Sequence, residues 1–237
     1  MVPRVIMSNA VSVDGRTTGF SWDIGLYYEM AARWKADVHL AGSDTLLSSA
    51  EGEVPEVGED EEPPAQLPSD GRPLLVVPDS RGRIRNWHVL QRAPYWRGVV
   101  ALCSHSTPHD YLEYLNKRRI SYIVAGEHHV NMRAALEELN ARYGVRLVHL
   151  DSGGTLNGVM LRAGLVNEVH LLVHPCLVGG QPSSIFRSTG PIAPDSSLQL
   201  SLANCQKLRD GIVWLHYSVI GARHSAPTAK DRELVHC

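Results

Sequence analysis

No Cys-x-x-Cys pair occurs in this 237-residue chain; its four cysteines, Cys103, Cys176, Cys205 and Cys237, lie far apart. That scatter argues against structural zinc, leaves no metal site to expect, and points to a reducing, cytoplasmic setting. No apolar run approaches the roughly 18 residues a membrane span needs. The opening MVPRVIMSNAVSVDG is a short apolar run broken by Asp14, unlike a secretory signal. Charge of one sign is also lacking: 23 Lys and Arg face 25 Asp and Glu, a formal net charge of -2. With no long basic run, nucleic acid is not an expected partner, and neither is a membrane. The GxGxxG, Walker and GxSxG patterns are all absent. His174-Pro175-Cys176 has no second cysteine two residues on and no upstream HxE, so a zinc-deaminase site is not indicated. His128-His129 lacks helical metal-pair spacing and reads as a loop.

What the chain does contain is alternation. Apolar runs of strand length at 4–13, 38–41, 73–79, 98–103, 121–126, 145–151 and 168–180 alternate with helical patterns at 23–35, 109–118 and 130–144. This is the signature of an α/β sheet. Asp23 is the expected N-cap of the first helix, and Gly144 the glycine that ends the helix at 130–144. Val130, Ala134, Leu136 and Leu139 should form much of that helix's apolar face. Segments 197–208 and 212–221 read as an antiparallel pair turned at Arg209-Asp210-Gly211. The expected fold is therefore one α/β domain over residues 1–221, with a mainly parallel sheet and antiparallel C-terminal strands. Residues 51–70, EGEVPEVGEDEEPPAQLPSD, are too acidic and proline-rich to bury much and read as a mobile insert. Residues 222–237 read as a loose polar tail.

Three junctions carry candidate chemistry. In VRLVHLDSGGTLNGVMLRAG (145–164) a strand ending in Asp151 meets Gly153 and Gly154 and opens into a helix, with Thr155 placed to cap it or meet a phosphate. Physics alone leaves this open between a plain connection and a dinucleotide cradle. VHLAGSDTLL (38–47) repeats the arrangement at Gly42, Ser43 and Thr45, again either a plain connection or a second grip on one dinucleotide. In VVPDSRGRI (76–84), Ser80 lies beside Arg81 and Arg83, either a solvated polar turn or a site for a ribose 2′-phosphate. Trp22, Trp34, Tyr27 and Tyr28 read as core or interface.

The residues SVDG (12–15), Ser21-Trp22, Arg33, GSDT (42–45), PDSRGR (78–83) and DSGGTLNGVMLRAGLVNEVHLLVHPCLVGG (151–180) together resemble the reductase family of riboflavin biosynthesis. That family has the dihydrofolate-reductase-like fold, shared with the C-terminal half of the bifunctional deaminase–reductase. The resemblance implies an NADPH-dependent reductase and a cytoplasmic homodimer. Its implied substrate is the phosphorylated pyrimidine 2,5-diamino-6-(ribosylamino)pyrimidin-4(3H)-one 5′-phosphate, reduced to the ribitylamino compound. It implies cofactor contacts at Trp22, Gly42, Ser43, Thr45, Ser80, Arg81, Gly153, Gly154, Thr155, Leu156, Asn157 and Gly158. Substrate contacts are implied at Ser21, Arg33 and Asp151, with Asp151 also the acid/base group. After Thr45 the chain departs from the family's pattern, and no substrate-phosphate arginine is identified there. The alternatives are reduction of the deaminated pyrimidine, a dihydropterin or another carbonyl or imine on the same scaffold, or nucleotide binding without catalysis.

Overall fold

The computed structural model describes residues 1–49, 70–180, 183–187 and 197–221. The expected tail, and the expected insert except for Asp70, lie outside the described residues. In chain order the elements are β1 (Arg4–Ser12), α1 (Ile24–Ala32), β2 (Val38–Ala41), α2 (Ser43–Ser49), β3 (Leu74–Pro78), α3 (Trp87–Arg92), β4 (Gly98–Cys103), α4 (His109–Lys117), β5 (Ser121–Val124), α5 (Met132–Tyr143), β6 (Leu147–Asp151), α6 (Gly154–Arg162), β7 (Glu168–His174), β8 (Leu200–Lys207) and β9 (Val213–Val219). They build one nine-stranded sheet of order β5-β4-β3-β2-β6-β1-β7-β9-β8. Every pairing among β1 to β7 is parallel; β9 runs antiparallel to both β7 and β8.

Side-chain alternation splits the core between the two sheet faces. Val5, Met7, Val38, Leu40, Val148 and Leu150 join α5 and α6 in one buried cluster. On the opposite face Leu75, Val77, Val99 and Ala101 pack with Trp87 and Tyr111. A third cluster sets Ala10 and Leu172 against Leu26, Tyr27 and Met30 of α1. Central strands covered on both faces explain the unbroken apolar runs in the sequence.

Local signals account for most boundaries. Asp23 caps α1 by accepting from the Leu26 N–H, and Gly144 ends α5 at φ 67°. The face α5 buries is Met132, Ala135, Leu136 and Leu139, with Val130 and Ala134 only at its margin. Asp210 (φ 56°) and Gly211 (φ 74°) form the tight turn before β9. The strand expected over 168–180 stops at His174. Pro175 follows it, lacking the N–H a further ladder bond needs, and the Cys176 N–H folds back to the His174 carbonyl at 2.8 Å.

Helix α3 has no counterpart in the sequence reading. Its six residues are too short to show a period, and it is held by one fully buried side chain, Trp87. The Trp87 Nε1–H donates to the Tyr111 hydroxyl at 2.7 Å, and that hydroxyl donates to Asp79 at 2.9 Å. Asp79 itself is only 2% exposed and also accepts from the N–H groups of Arg83 and Ile84. One carboxylate thus sets the loop after β3. Asp79→Ala would leave those buried donors without an acceptor; a loss on the order of 3 kcal/mol is expected, read as a lower urea midpoint with unchanged far-UV dichroism before the transition.

Candidate active site

A cleft of about 770 Å³ opens at the carboxyl ends of β1, β2, β3 and β6. In parallel sheets this is where ligands bind, outside strand ends at which the winding direction changes. Here β6 lies between β2 and β1, and the chain then crosses β1 to reach β7.

Two of the candidate junctions meet side by side in its wall. Ala41 and Asp151 are register partners at the ends of β2 and β6, so Gly42 and Gly153 leave the sheet at nearly one level. A Cβ on Gly42 would lie 2.8 Å from the Ser152 hydroxyl, so a side chain there would require that hydroxyl to turn away. Gly153 is the N-cap of α6, no side chain caps that end, and a Cβ there would meet nothing within 4 Å. Thr155, expected as a possible cap, stands in the first turn instead. The nine-residue helix therefore presents its first N–H groups to the cleft, a ready site for an anion.

The other glycines of the motif serve the protein itself. A Cβ on Gly154 would lie 2.2 Å from the Ser184 carbonyl oxygen, and one on Gly158 2.2 Å from that of Arg187. Segment 183–187 lies across α6, held by the Arg187 N–H to the Gly154 carbonyl and by Thr17 to Ser183. Beneath them Asn157, fully buried, donates to the Asn9 side chain and to the carbonyls of Ser152 and Ile185.

The structure brings Trp22, Gly42, Ser43, Thr45, Ser80 and Arg81 together with Asp151, Gly153, Gly154, Thr155 and Leu156 around the cleft. Asn157 and Gly158 are buried behind it, while Ser21 and Arg33 stand exposed outside it; Arg33 pairs with Glu29 at 3.3 Å. The sequence reading missed Asn9, Thr17, Tyr27 and Arg187, all of which line the wall. Asn9 and Ser8 had a signal: two polar residues inside an apolar strand. Arg187 had none, because its segment carries no period. The SVDG motif proves to be a clip, in which Asp14 accepts from the Ser12 hydroxyl and from the N–H groups of Gly179 and Val178. Those bonds, Ser12's first, hold its carboxyl well below the usual range.

Asp151 dominates the electrostatics. Burial raises its carboxyl pKa, against the opposing bond from the Tyr27 hydroxyl at 2.8 Å. Behind it, burial lowers His149, lowers His170 and brings His39 down to about 4. His170 and His216 share Glu168, their ligand atoms within 4.8 Å of one another. A metal there would need a lone pair on His170 Nε2. Trp214 donates to His170 Nδ1 at 3.1 Å, so in the neutral ring Nε2 carries the proton and faces Glu168 at 3.2 Å. Arg4 completes that knot by bonding to Glu168.

Comparison with known proteins agrees with this geometry. The RibD C-terminal domain model matches residues 3–214. The 2,5-diamino-6-ribosylamino-4(3H)-pyrimidinone 5′-phosphate reductase of Methanothermobacter thermautotrophicus is 30% identical over 93% of this chain and all of its own. The protein of the same name from Archaeoglobus fulgidus is 28% identical over 77% of this chain and 85% of its own. Among solved structures, a pyrimidine reductase-like protein from Corynebacterium diphtheriae superposes with a TM-score of 0.69 at 20% identity, covering 92% of each chain.

Two buried histidines, His149 and His170, together with the half-buried His39, make stability acid-sensitive. Their folded pKa values lie below the ordinary value, so below about pH 6.5 the unfolded chain binds more protons and folding weakens as pH falls. Asp151, with its pKa raised, works the opposite way, one group against three. With its pKa at about 4, His39 alone contributes about 2 kcal/mol of loss between pH 6.5 and 5, so the urea midpoint at pH 5 should lie clearly below that at pH 7. Its fold, its cleft and the match over residues 3–214 place this chain in the RibD C-terminal domain family, the reductases of riboflavin biosynthesis.

Proposed function

We propose that this protein is the NADPH-dependent reductase of 2,5-diamino-6-(ribosylamino)pyrimidin-4(3H)-one 5′-phosphate. The observation that carries the reading is the uncapped N-terminus of α6 opening into the same cleft as a buried, protonation-prone Asp151. The donor set fits the cofactor. The first-turn N–H groups at Gly154 and Thr155 would hold its diphosphate, with Gly153 leaving room for close approach. Ser80 and Arg81 would hold the 2′-phosphate. Arg83 is already engaged, donating to the Ser43 hydroxyl at 2.6 Å and pairing with Asp44 at 2.8 Å. Arg81 makes no hydrogen bond or ion pair among the described residues and remains available for a bidentate grip.

When bound, NADPH supplies the hydride for C1′ of the ring-opened ribosyl imine. The chain's own part is to position and to supply a proton. Trp22 and Tyr27 wall the cleft beside Asp151, with their rings edge to face at 5.2 Å. A carboxyl whose pKa is raised by burial is better suited than an exposed one to hand a proton to the imine nitrogen. Arg187 adds positive charge to the wall beside the α6 N-terminus.

Two substitutions, a comparison of the two cofactors and a substrate panel test this reading. Asp151→Asn should lower turnover about 100-fold or more while the NADPH dissociation constant, read by nicotinamide fluorescence, stays within about twofold; equal turnover would remove Asp151 from the chemistry. Arg81→Ala should weaken NADPH binding roughly 10-fold or more and leave NADH unchanged, whereas equal affinity of the wild type for both cofactors contradicts the NADPH assignment. Assays with the deaminated pyrimidine, dihydropterins and simple imines separate the stated substrate from its rivals. Cofactor binding without turnover on any of them would leave a nucleotide-binding protein.

A homodimer belongs to the same proposal, as does a cytoplasmic location, which suits free Cys103, Cys176 and Cys205. Strand β8 ends the sheet, and all eight of its residues are exposed, Leu200 and Leu202 among them. An uncovered apolar edge strand is a pairing surface, and a second copy would cover it. Leu202→Lys should convert the dimer to monomer in sedimentation equilibrium; a wild type that sediments as a monomer rules the dimer out.

A further inference from the structure

Arg187 combines an anchored backbone with a charged tip that makes no hydrogen bond or ion pair among the described residues. Its N–H donates to the Gly154 carbonyl at 2.9 Å, and Arg162 donates to its carbonyl at 3.3 Å. The segment leading to it is fixed step by step. The Thr17 N–H and hydroxyl both donate to the Ser183 carbonyl, at 2.9 and 3.1 Å. Ser184 forms a β-bridge with Arg16, and Asn157 donates to the Ile185 carbonyl at 3.0 Å. The stem of Arg187 then runs over the start of α6: a Cβ on Gly154 would lie 3.1 Å from Arg187 Cγ and 3.3 Å from its N. The guanidinium, a short flexible reach beyond Cγ, is thereby tethered beside the first turn of that helix, and Arg187 lines the cleft.

Charge balance gives this position a use. Each phosphoryl group of a dinucleotide's diphosphate carries a negative charge, and a helix N-terminus offers only about half a positive one. The cleft lining holds three arginines, Arg81, Arg83 and Arg187, against two acids, Asp44 and Asp151. Arg83 is tied to Asp44 and the Ser43 hydroxyl. Arg81 follows β3, which β2 separates from β6 and the helix that β6 opens into. Arg187 is the one packed on Gly154.

We propose that Arg187 completes the diphosphate site, its guanidinium and the N–H groups of Gly154 and Thr155 together holding the phosphoryl oxygens. The inference rests on the proposed binding of NADPH at the start of α6. A planar guanidinium meets phosphoryl oxygens with two parallel N–H bonds, which a helix end alone does not supply. Diphosphate is common to NADPH and NADH, so Arg187 sets affinity for either coenzyme and leaves the choice between them to Arg81. Gly154 and Gly158 gain a second consequence: by admitting the backbone of 183–187 against α6, they bring a cation to the anion site.

The test separates diphosphate from the two other anions of the reaction, the 2′-phosphate and the substrate's 5′-phosphate. Coenzyme dissociation constants are read by nicotinamide fluorescence. That of 2′-AMP, which has the 2′-phosphate and no diphosphate, is read by its displacement of NADPH. Arg187→Ala should weaken NADPH and NADH each roughly 10-fold or more, leave 2′-AMP within about twofold, and keep the wild-type urea midpoint. Arg187→Gln, uncharged and of similar length, should show the same losses and serves if the alanine variant fails to fold. Arg81→Ala should give the converse, with NADPH and 2′-AMP weakened and NADH unchanged. Unchanged constants for both coenzymes in the Arg187 variants overturn the assignment, as does an equal loss of 2′-AMP or a rise confined to the substrate KM. A lowered urea midpoint in both Arg187 variants also overturns it, since the loss would then be structural. A wild type that binds neither coenzyme overturns the functional reading instead, before any variant is compared.

Discussion

The amide of Asn157 is the joint on which the cleft depends. From the first turns of α6 it reaches the Asn9 side chain on β1, the Ser152 carbonyl at the end of β6, and the Ile185 carbonyl in the crossing segment. Asn9 donates to the same Ser152 carbonyl at 2.8 Å. Buried backbone groups must find partners, and here side chains from behind satisfy the carbonyls of the turn. The N–H groups at the start of α6 are therefore not drawn inward, and they stay directed at the cleft. The anion site and the fold's central packing are one construction, viewed from two sides.

Much of the fold was legible because its signals are local. β2 and β4 fall on the apolar runs that announce them, Asp-Gly marks the turn before β9, and Gly144 marks the end of α5. α3 was not, since its stability comes from Trp87 and Tyr111 meeting Asp79 across the chain. The site was legible as a set of motifs and less so as a surface. Within GGTLNG the pattern does not distinguish Gly153, open to the cleft, from Gly154 and Gly158, which make room for the backbone of 183–187. Nor does it show that Asn157 faces inward while Thr155 faces out. A motif records that a residue matters and leaves its direction to the tertiary structure.

The topology explains why so many motif elements converge. The chain leaves β1 for β2, builds the sheet out to β5, and returns with β6 between β2 and β1. Segments far apart in sequence, after β1, β2, β3 and β6, thus emerge at one end of the sheet. The Asp14 clip to Val178 and Gly179 joins the loop after β1 to that after β7 in the same way. Such an end supports many chemistries, so the solved structures under 25% identical speak only for the fold. The chemistry here is argued from Asp151 and its partners.

The hydrogen-bonded row from His39 through His149 and Ser8 to Tyr27 is where the sequence breaks its own rule. Most inward positions of β1, β2 and β6 are apolar, yet Ser8, Asn9 and Ser12 on β1 and His149 on β6 are buried polar side chains within the sheet. Well-packed apolar residues of the same volume can match or exceed a buried polar group in stability, so folding alone does not require this row. Here the two ends differ in kind, a partly exposed imidazole and a carboxyl in a ligand-sized cleft. Departures from local consistency concentrate where function demands them, and this one ends on Asp151 in the wall of the cleft.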